Sequence, residues 1–112
     1  MLPKANRLTR ETDFKAVARG SRPIHSPCLI LKKLNFANQT TKFGIVISAK
    51  VSKKATQRNK VRRRVREILR SNIKKVSSGY KVMLVAKGPI LDQDYQALKK
   101  ELEGLLKKSG LL

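Results

Sequence analysis

Residues 55–71, ATQRNKVRRRVREILRS, carry six arginines between positions 58 and 70, yet their apolar residues keep a helical spacing. Val61, Val65, Ile68 and Leu69 fall at intervals of four, three and one, which gathers them on one stripe. A stripe of that width is what a core-facing helix requires. At about 100° per residue, Asn59, Arg62, Arg63, Arg66 and Arg70 fall together on an adjoining face. The fold must therefore bury one side of this helix while leaving the next side open. Guanidinium groups present forked donors that match phosphate oxygens in pairs, and they stay charged at any physiological pH.

The charge balance points the same way. The chain has 112 residues, enough for one domain with one modest core, and a net charge of +20 from 27 Lys and Arg against 7 Asp and Glu. Residues 53–75 hold eleven basic residues and one acid, Glu67, which can pair with Arg63, Arg64 or Arg70. A charged helix without a partner usually alternates signs to gain i,i+4 pairs. Self-repulsion on this scale destabilises a compact state, so a polyanionic partner is the natural explanation. A membrane-surface helix would place large apolar and aromatic side chains opposite its charges. This run offers mostly Val, Ile and Leu in a core-width stripe, and no apolar run approaches a membrane span. The first residues, MLPKANRLTRETDF, lack the apolar segment of a secretory signal, and the single cysteine, Cys28, suits a reducing compartment. The expectation is a cytoplasmic protein with no membrane association.

Residues 9–19 read as a first helix, with Thr9 as N-cap, Glu11 and Asp13 in its first turns and Gly20 as its stop. Residues 21–27 contain two prolines and read as a connection. Residues 28–36 form a strand candidate, and residues 35–41 have turn composition. Residues 42–48 follow as a second strand, with Phe43, Ile45 and Ile47 on one face and Gly44, Val46 and Ser48 on the other. After the basic helix, residues 80–86 (YKVMLVA) make a third strand, stopped by Gly88 and Pro89. Asp92 can cap a final helix carrying Leu91, Tyr95, Leu98, Leu102, Leu105 and Leu106. The order is α-β-β-α-β-α, which predicts an α+β sandwich: one RNA-binding domain over residues 1–112, with helices laid against a small sheet.

Residues for catalysis by the chain itself are missing. His25 is the only histidine and stands in a Pro-flanked stretch, where a bland role is the usual one. Cys28, within CLIL, reads as a small buried hydrophobe rather than a nucleophile. Glu11 and Asp13, Asp92 and Asp94, and Glu101 and Glu103 are i,i+2 pairs on helix ends or surfaces, and residues two apart on a helix do not face each other. No zinc spacing and no phosphate-binding glycine motif occurs. Phe14 has two readings: a core contact of the first helix, the commoner role, or a stacking platform for an unpaired base. Lys50, Lys53 and Lys54 lead into the basic helix, and beside Arg58 they favour phosphate contact over a merely solvated loop.

With these residues in view, the chain resembles the protein component of bacterial ribonuclease P. The carrying motif is Arg58-Asn59-x-x-Arg62-Arg63-x-x-Arg66-Glu67, preceded by Ala55. Asn6-Arg7-Leu8, Asp13-Phe14, residues 44–48 (GIVIS) and Gly79-Tyr80 support it, so the likeness spans essentially the whole chain. The resemblance implies a catalytic RNA that cleaves precursor tRNA with Mg²⁺, and a protein subunit, one per RNA, that docks on it and holds the single-stranded 5′ leader. By carry-over, Arg58, Asn59, Arg62, Arg63 and Arg66, with Lys60 and Arg70 on the same helix, would bind RNA. A shared Mg²⁺ would lie near Asn59, and Phe14, Ser48, Lys50 and Lys53 would line the leader cleft. The family likeness also implies a left-handed β-α-β crossover, against the usual right-handed preference. Three positions depart from the family pattern: Ala49 replaces the first of two lysines, Ala18 a second aromatic, and Lys32 a strand aromatic. The competing reading is a ribosomal or assembly protein that binds structured RNA, followed by a DNA-binding helix, for which the side chains are too arginine-rich and too poor in Asn and Gln.

Overall fold

In the computed structural model, residues 2–20, 22–36 and 39–112 are described. Helix α1 is Glu11–Gly20; strands β1, β2 and β3 are Ile24–His25, Leu29–Asn35 and Lys42–Val46; helix α2 is Ala55–Asn72; strand β4 is Tyr80–Ala86; helix α3 is Tyr95–Lys108. Short 3-10 turns occupy Lys4–Asn6 and Gly88–Asp92. The sheet order is β1-β2-β4-β3, with β4 antiparallel to β2 and parallel to β3. Helix α2 is thus the crossover between two parallel neighbours, Phe43 pairing with Val82 and Ile45 with Leu84.

Alternation along the strands divides the core in two. Leu29, Leu31, Phe43, Val82, Leu84 and Ala86 face α2 and α3, where they meet Val61, Val65, Ile68 and Leu69 from one helix and Leu98, Leu102, Leu105 and Leu106 from the other. Each fully buried Leu or Ile side chain here contributes roughly 1.5–3 kcal/mol. On the opposite face, Leu8, Val17 and Met83 form a smaller buried cluster, with Phe14, Leu34, Val46 and Val85 packed against it. Helix α1 covers only part of that face.

The predicted elements all form, with local corrections. The connection at 21–27 contains β1, a two-residue strand paired through Ile24 with Leu31 and through His25 with Ile30. Two residues show no readable period. His25 is therefore an exposed strand residue rather than a loop one. Thr9 does not cap α1: the Arg10 carbonyl accepts the first helical bonds, from the Asp13 and Phe14 N–H groups at 3.1 and 3.2 Å. Leu8 donates its N–H to the Phe43 carbonyl at 2.8 Å, which keeps the chain extended along β3 until just before Thr9. Strand β3 ends at Val46, two residues early, because the chain turns there and the Val51 N–H bonds back to the Ser48 carbonyl at 3.0 Å. Asp94, not Asp92, caps α3, its carboxylate accepting from the Ala97 N–H at 2.8 Å. Leu91 belongs to the preceding 3-10 turn and is 38% exposed, outside the α3 stripe. Within the 35–41 turn, Ala37 and Asn38 lie outside the described residues, as does Ser21 in the earlier connection.

Candidate nucleic-acid interface

Helix α2 begins without a side-chain cap. Its entry is organised by Ser52, a buried hydroxyl that accepts the Lys54 N–H at 3.2 Å and donates to the Gln57 side chain at 2.5 Å. The Ser52 carbonyl accepts a guanidinium N–H from Arg58 at 2.8 Å. Arg58 thus holds the loop that carries Lys50 and Lys53 against the first turn of the helix. Both lysines, and Ser48, are exposed.

One helical turn on, the outward face opens. Asn59, Arg62, Arg63, Arg66 and Glu67 line a concavity of about 590 Å³. Arg62 donates to the Asn59 side-chain oxygen at 3.1 Å, which fixes the position of its guanidinium. Arg63 is exposed and Arg66 half-buried. Burial, then the charges of Arg7 and Arg62, push the Arg66 guanidinium below its ordinary value. Arg7 arrives from the segment before α1 and escaped the sequence reading as a member of this face. The available signal was its place between Asn6 and the buried Leu8 in an extended stretch, where alternate side chains point opposite ways.

The structure does not gather all seven helical candidates. Asn59, Arg62, Arg63 and Arg66 converge. Arg70 is exposed, paired with Glu67 at 3.2 Å one turn below. Lys60 lies on the other flank, in a second recess with Arg63, Arg64, Glu67 and Tyr95. Arg64, never a candidate, donates to the Gln93 carbonyl at 3.3 Å and ties α2 to the approach of α3.

A second surface lies on the α1 side of the sheet. Phe14 packs with the smaller core, and its ring sits directly over Gly44, where a Cβ would overlap it. Both readings of Phe14 keep a basis, since the side chain is packed yet only half-buried. Beyond it, Ile30, Val85 and Val46 form a cross-sheet row of half-buried apolar side chains, through the pairs Ile30 with Val85 and Val46 with Val85. Lys32 stands one row nearer α1, opposite Met83. Ile30, Val46 and Val85 were missed as surface residues because a strand's apolar positions read as core whichever face they take.

Elsewhere, the acids serve the fold. Glu101 Oε2 accepts from the Ser26 hydroxyl at 2.6 Å and from the Cys28 N–H and thiol, both at 2.8 Å. Burial alone would raise the Glu101 carboxyl, but these bonds and the Lys87 charge outweigh it and hold the group below its ordinary 4.5. Burial first, then the bond and charge of Glu101, pushes the Cys28 thiol up to about 12, which makes it an unreactive core group. Glu103 accepts from the Asn72 amide at 2.8 Å. The expectation that Glu101 and Glu103 are surface acids is thus corrected.

No group of three or more His, Cys, Asp or Glu side chains among the described residues could hold a metal ion. Asn59 offers one neutral amide oxygen beside arginines, a donor set that does not fit a protein-held Mg²⁺. No described helix is long and apolar enough to cross a membrane.

Comparison with known proteins gives a consistent result. The family model described as Ribonuclease P matches residues 2–110. A ribonuclease P protein component from Pseudanabaena sp. is 38% identical over 114 residues, covering 100% of this chain and 97% of the relative. One from Rippkaea orientalis is 34% identical over 116 residues, covering 99% and 91%. The solved structure of the Staphylococcus aureus RNase P protein superposes with a TM-score of 0.87 at 23% identity, covering 96% of this chain and 98% of that one.

Proposed function

The chain belongs to the ribonuclease P protein family, the protein component of a ribonucleoprotein endonuclease of tRNA processing, and from that premise we propose how its surfaces act. The α2 face of Asn59, Arg62, Arg63 and Arg66 binds the catalytic RNA, one protein per RNA, in the cytoplasm, with Arg58, Lys60 and Arg70 as flanking contacts. The α1-side surface receives the single-stranded 5′ leader of precursor tRNA. Phe14 offers a partly open ring for stacking, Ile30, Val46 and Val85 an apolar floor, and Ser48, Lys50 and Lys53 contacts to phosphate.

The observation that carries this reading is the convergence of Arg62, Arg63 and Arg66 around Asn59 on a helix whose other side is locked in the core. Guanidinium groups held on a rigid helix need little reordering when they meet phosphate. Mg²⁺, when bound by the RNA, supplies charge neutralisation at the scissile phosphate and a metal-activated water. The protein's part is electrostatic and positional: its arginines screen the repulsion between two RNAs. Stacking and phosphate contact, with no base-edge reader, suit a leader of variable sequence.

The test is 5′ cleavage of a precursor tRNA at low Mg²⁺ by protein alone, ribonuclease P RNA alone, and both together. Cleavage enhanced only in the mixture is expected. No enhancement, with tight binding to other structured RNAs, would move the function to ribosome assembly.

A further inference from the structure

The other flank of α2 carries a smaller recess of about 370 Å³, lined by Lys60, Arg63, Arg64, Glu67 and Tyr95. That volume lies within the range of small-ligand pockets, about 300–1,000 Å³. Lys60, Arg63 and Arg64, and Glu67 follow one another at three- and four-residue steps, so they form one stripe down the helix. Arg63 lines both hollows and stands on the ridge between them. The wall opposite the stripe is fixed in place. Arg64 donates to the Gln93 carbonyl at 3.3 Å, and Asp94 caps the helix that Tyr95 opens. The chain has five aromatic residues, and four are already engaged. Phe43 is buried, Phe14 lies over Gly44, and the rings of Tyr80 and Phe36 are covered by the Nζ atoms of Lys33 and Lys81 at 4.7 and 4.0 Å. Tyr95 packs against the main core, stays half-buried and borders the recess beside the exposed Lys60 and Arg63. A ring and two cations about one hollow are the parts of a single-strand site, where a base stacks and the cations take its phosphate. Glu67, at the far end of the stripe, repels phosphate and so confines the backbone to the end held by Lys60 and Arg63.

We propose that Tyr95, Lys60 and Arg63 form a site for one unpaired nucleotide of the catalytic RNA that lies across α2, its base on the Tyr95 ring and its phosphate on the two cations. The identity of that RNA rests on the function proposed above; the nucleotide site does not. A strand leaving the Asn59 concavity crosses the ridge at Arg63, so the two hollows serve one RNA. A paired helix keeps its bases stacked inside, so this flank selects a nucleotide that stands free of pairing. A tyrosine present only to seal the edge of the core predicts no response to a base.

The experiment follows the tyrosine ring protons by NMR while the full chain is titrated with pentaadenylate, and separately with an abasic ribose-phosphate pentamer. The chain has two tyrosines, so Tyr80, covered by Lys33, is the internal reference, and Tyr95→Phe assigns the signals. Pentaadenylate should move the Tyr95 signals upfield through the ring current of a stacked base and leave Tyr80 in place. The abasic pentamer should move neither. Lys60→Gln should lower the salt slope of the Tyr95 titration by about 0.7, the share of one single-strand phosphate. With ribonuclease P RNA, Tyr95→Phe should bind as the parent does, and Tyr95→Leu about five- to hundredfold more weakly, the range of one base–aromatic stack. Circular dichroism identifies a variant that fails to fold, and if Tyr95→Leu does so, Lys60→Gln carries the test with the RNA. Tyr95 signals unmoved by pentaadenylate, or moved equally by the abasic pentamer, would overturn the site. A shift with pentaadenylate, together with full affinity for ribonuclease P RNA in Tyr95→Leu, would overturn its use by that RNA. A shift in a protein that gives no precursor-tRNA cleavage would uphold the site and sink the broader function.

Discussion

Helices α2 and α3 lie on the same side of the sheet and bury similar stripes, but they dispose of their charges in opposite ways. Helix α3 is capped by Asp94, and it turns Glu101 and Glu103 toward Ser26, Cys28 and Asn72. Its charged groups complete hydrogen bonds that the fold would otherwise leave open. Helix α2 has no side-chain cap and sets Arg62, Arg63 and Arg66 around one concavity, with Glu67 as the only acid along its length. The comparison separates a helix that stabilises the domain from one that tolerates repulsion so as to meet another molecule. Amphipathicity is common to both and identifies neither.

Six substitutions would break or sharpen this contrast. Leu102→Ala, in the buried stripe of α3, should cost about 2–5 kcal/mol in denaturant unfolding and leave RNA affinity per folded molecule unchanged. A matching loss of affinity would mean that the two helices are not functionally separate. Glu101→Ala, which strands the Cys28 N–H and thiol and leaves the Ser26 hydroxyl only the Leu29 carbonyl, should cost about 1–3 kcal/mol. Because the folded Glu101 carboxyl is held below 4.5, its contribution is complete above that pH and is lost as pH falls through the folded value. Glu101→Gln should therefore flatten the acid limb of the stability profile. The Cys28 thiol, raised to about 12, acts in the other direction: stability should decline as pH rises from 9, and Cys28→Ala should remove that decline.

Arg63→Ala removes an exposed guanidinium from the lining of the α2 concavity. It should weaken RNA binding by about 1.5 kcal/mol, near the low end for a charge-assisted bond, with folding stability within about 0.5 kcal/mol of the parent. A large stability loss would place Arg63 in the same class as the α3 acids. Asp94→Ala should cost about 1 kcal/mol through the lost cap, with no change in the salt dependence of RNA binding.

The division between these helices was only partly legible in the sequence. Periods of 3.6 and 2 located α2, α3 and three of the four strands, because those elements are long enough to display their buried faces. The arginine face was legible for the same reason: its residues are neighbours on a single helix. Arg7 and Glu101 were not, since their roles depend on partners that only the tertiary fold supplies. Glu101 meets Cys28 from 73 positions away. The i,i+2 rule applied to Glu101 and Glu103 describes contacts within a helix and says nothing about what lies across from it. Asp94 displaced Asp92 as the cap because the Gly88–Asp92 turn uses up the residues in between.

The Phe14 ring and the bare backbone of Gly44 occupy each other's space, and this has a consequence for how such a chain can drift. Neither position can vary alone: a methyl group at 44 is admitted only once the residue at 14 has shrunk or swung away. A smaller residue at 14 would in turn leave a hollow over β3. The two positions form a historical unit that must change as a pair or stay fixed, and the pair lies at the edge of the surface assigned to the leader. Shifts in leader preference among relatives should therefore leave their trace in paired substitutions at these two sites.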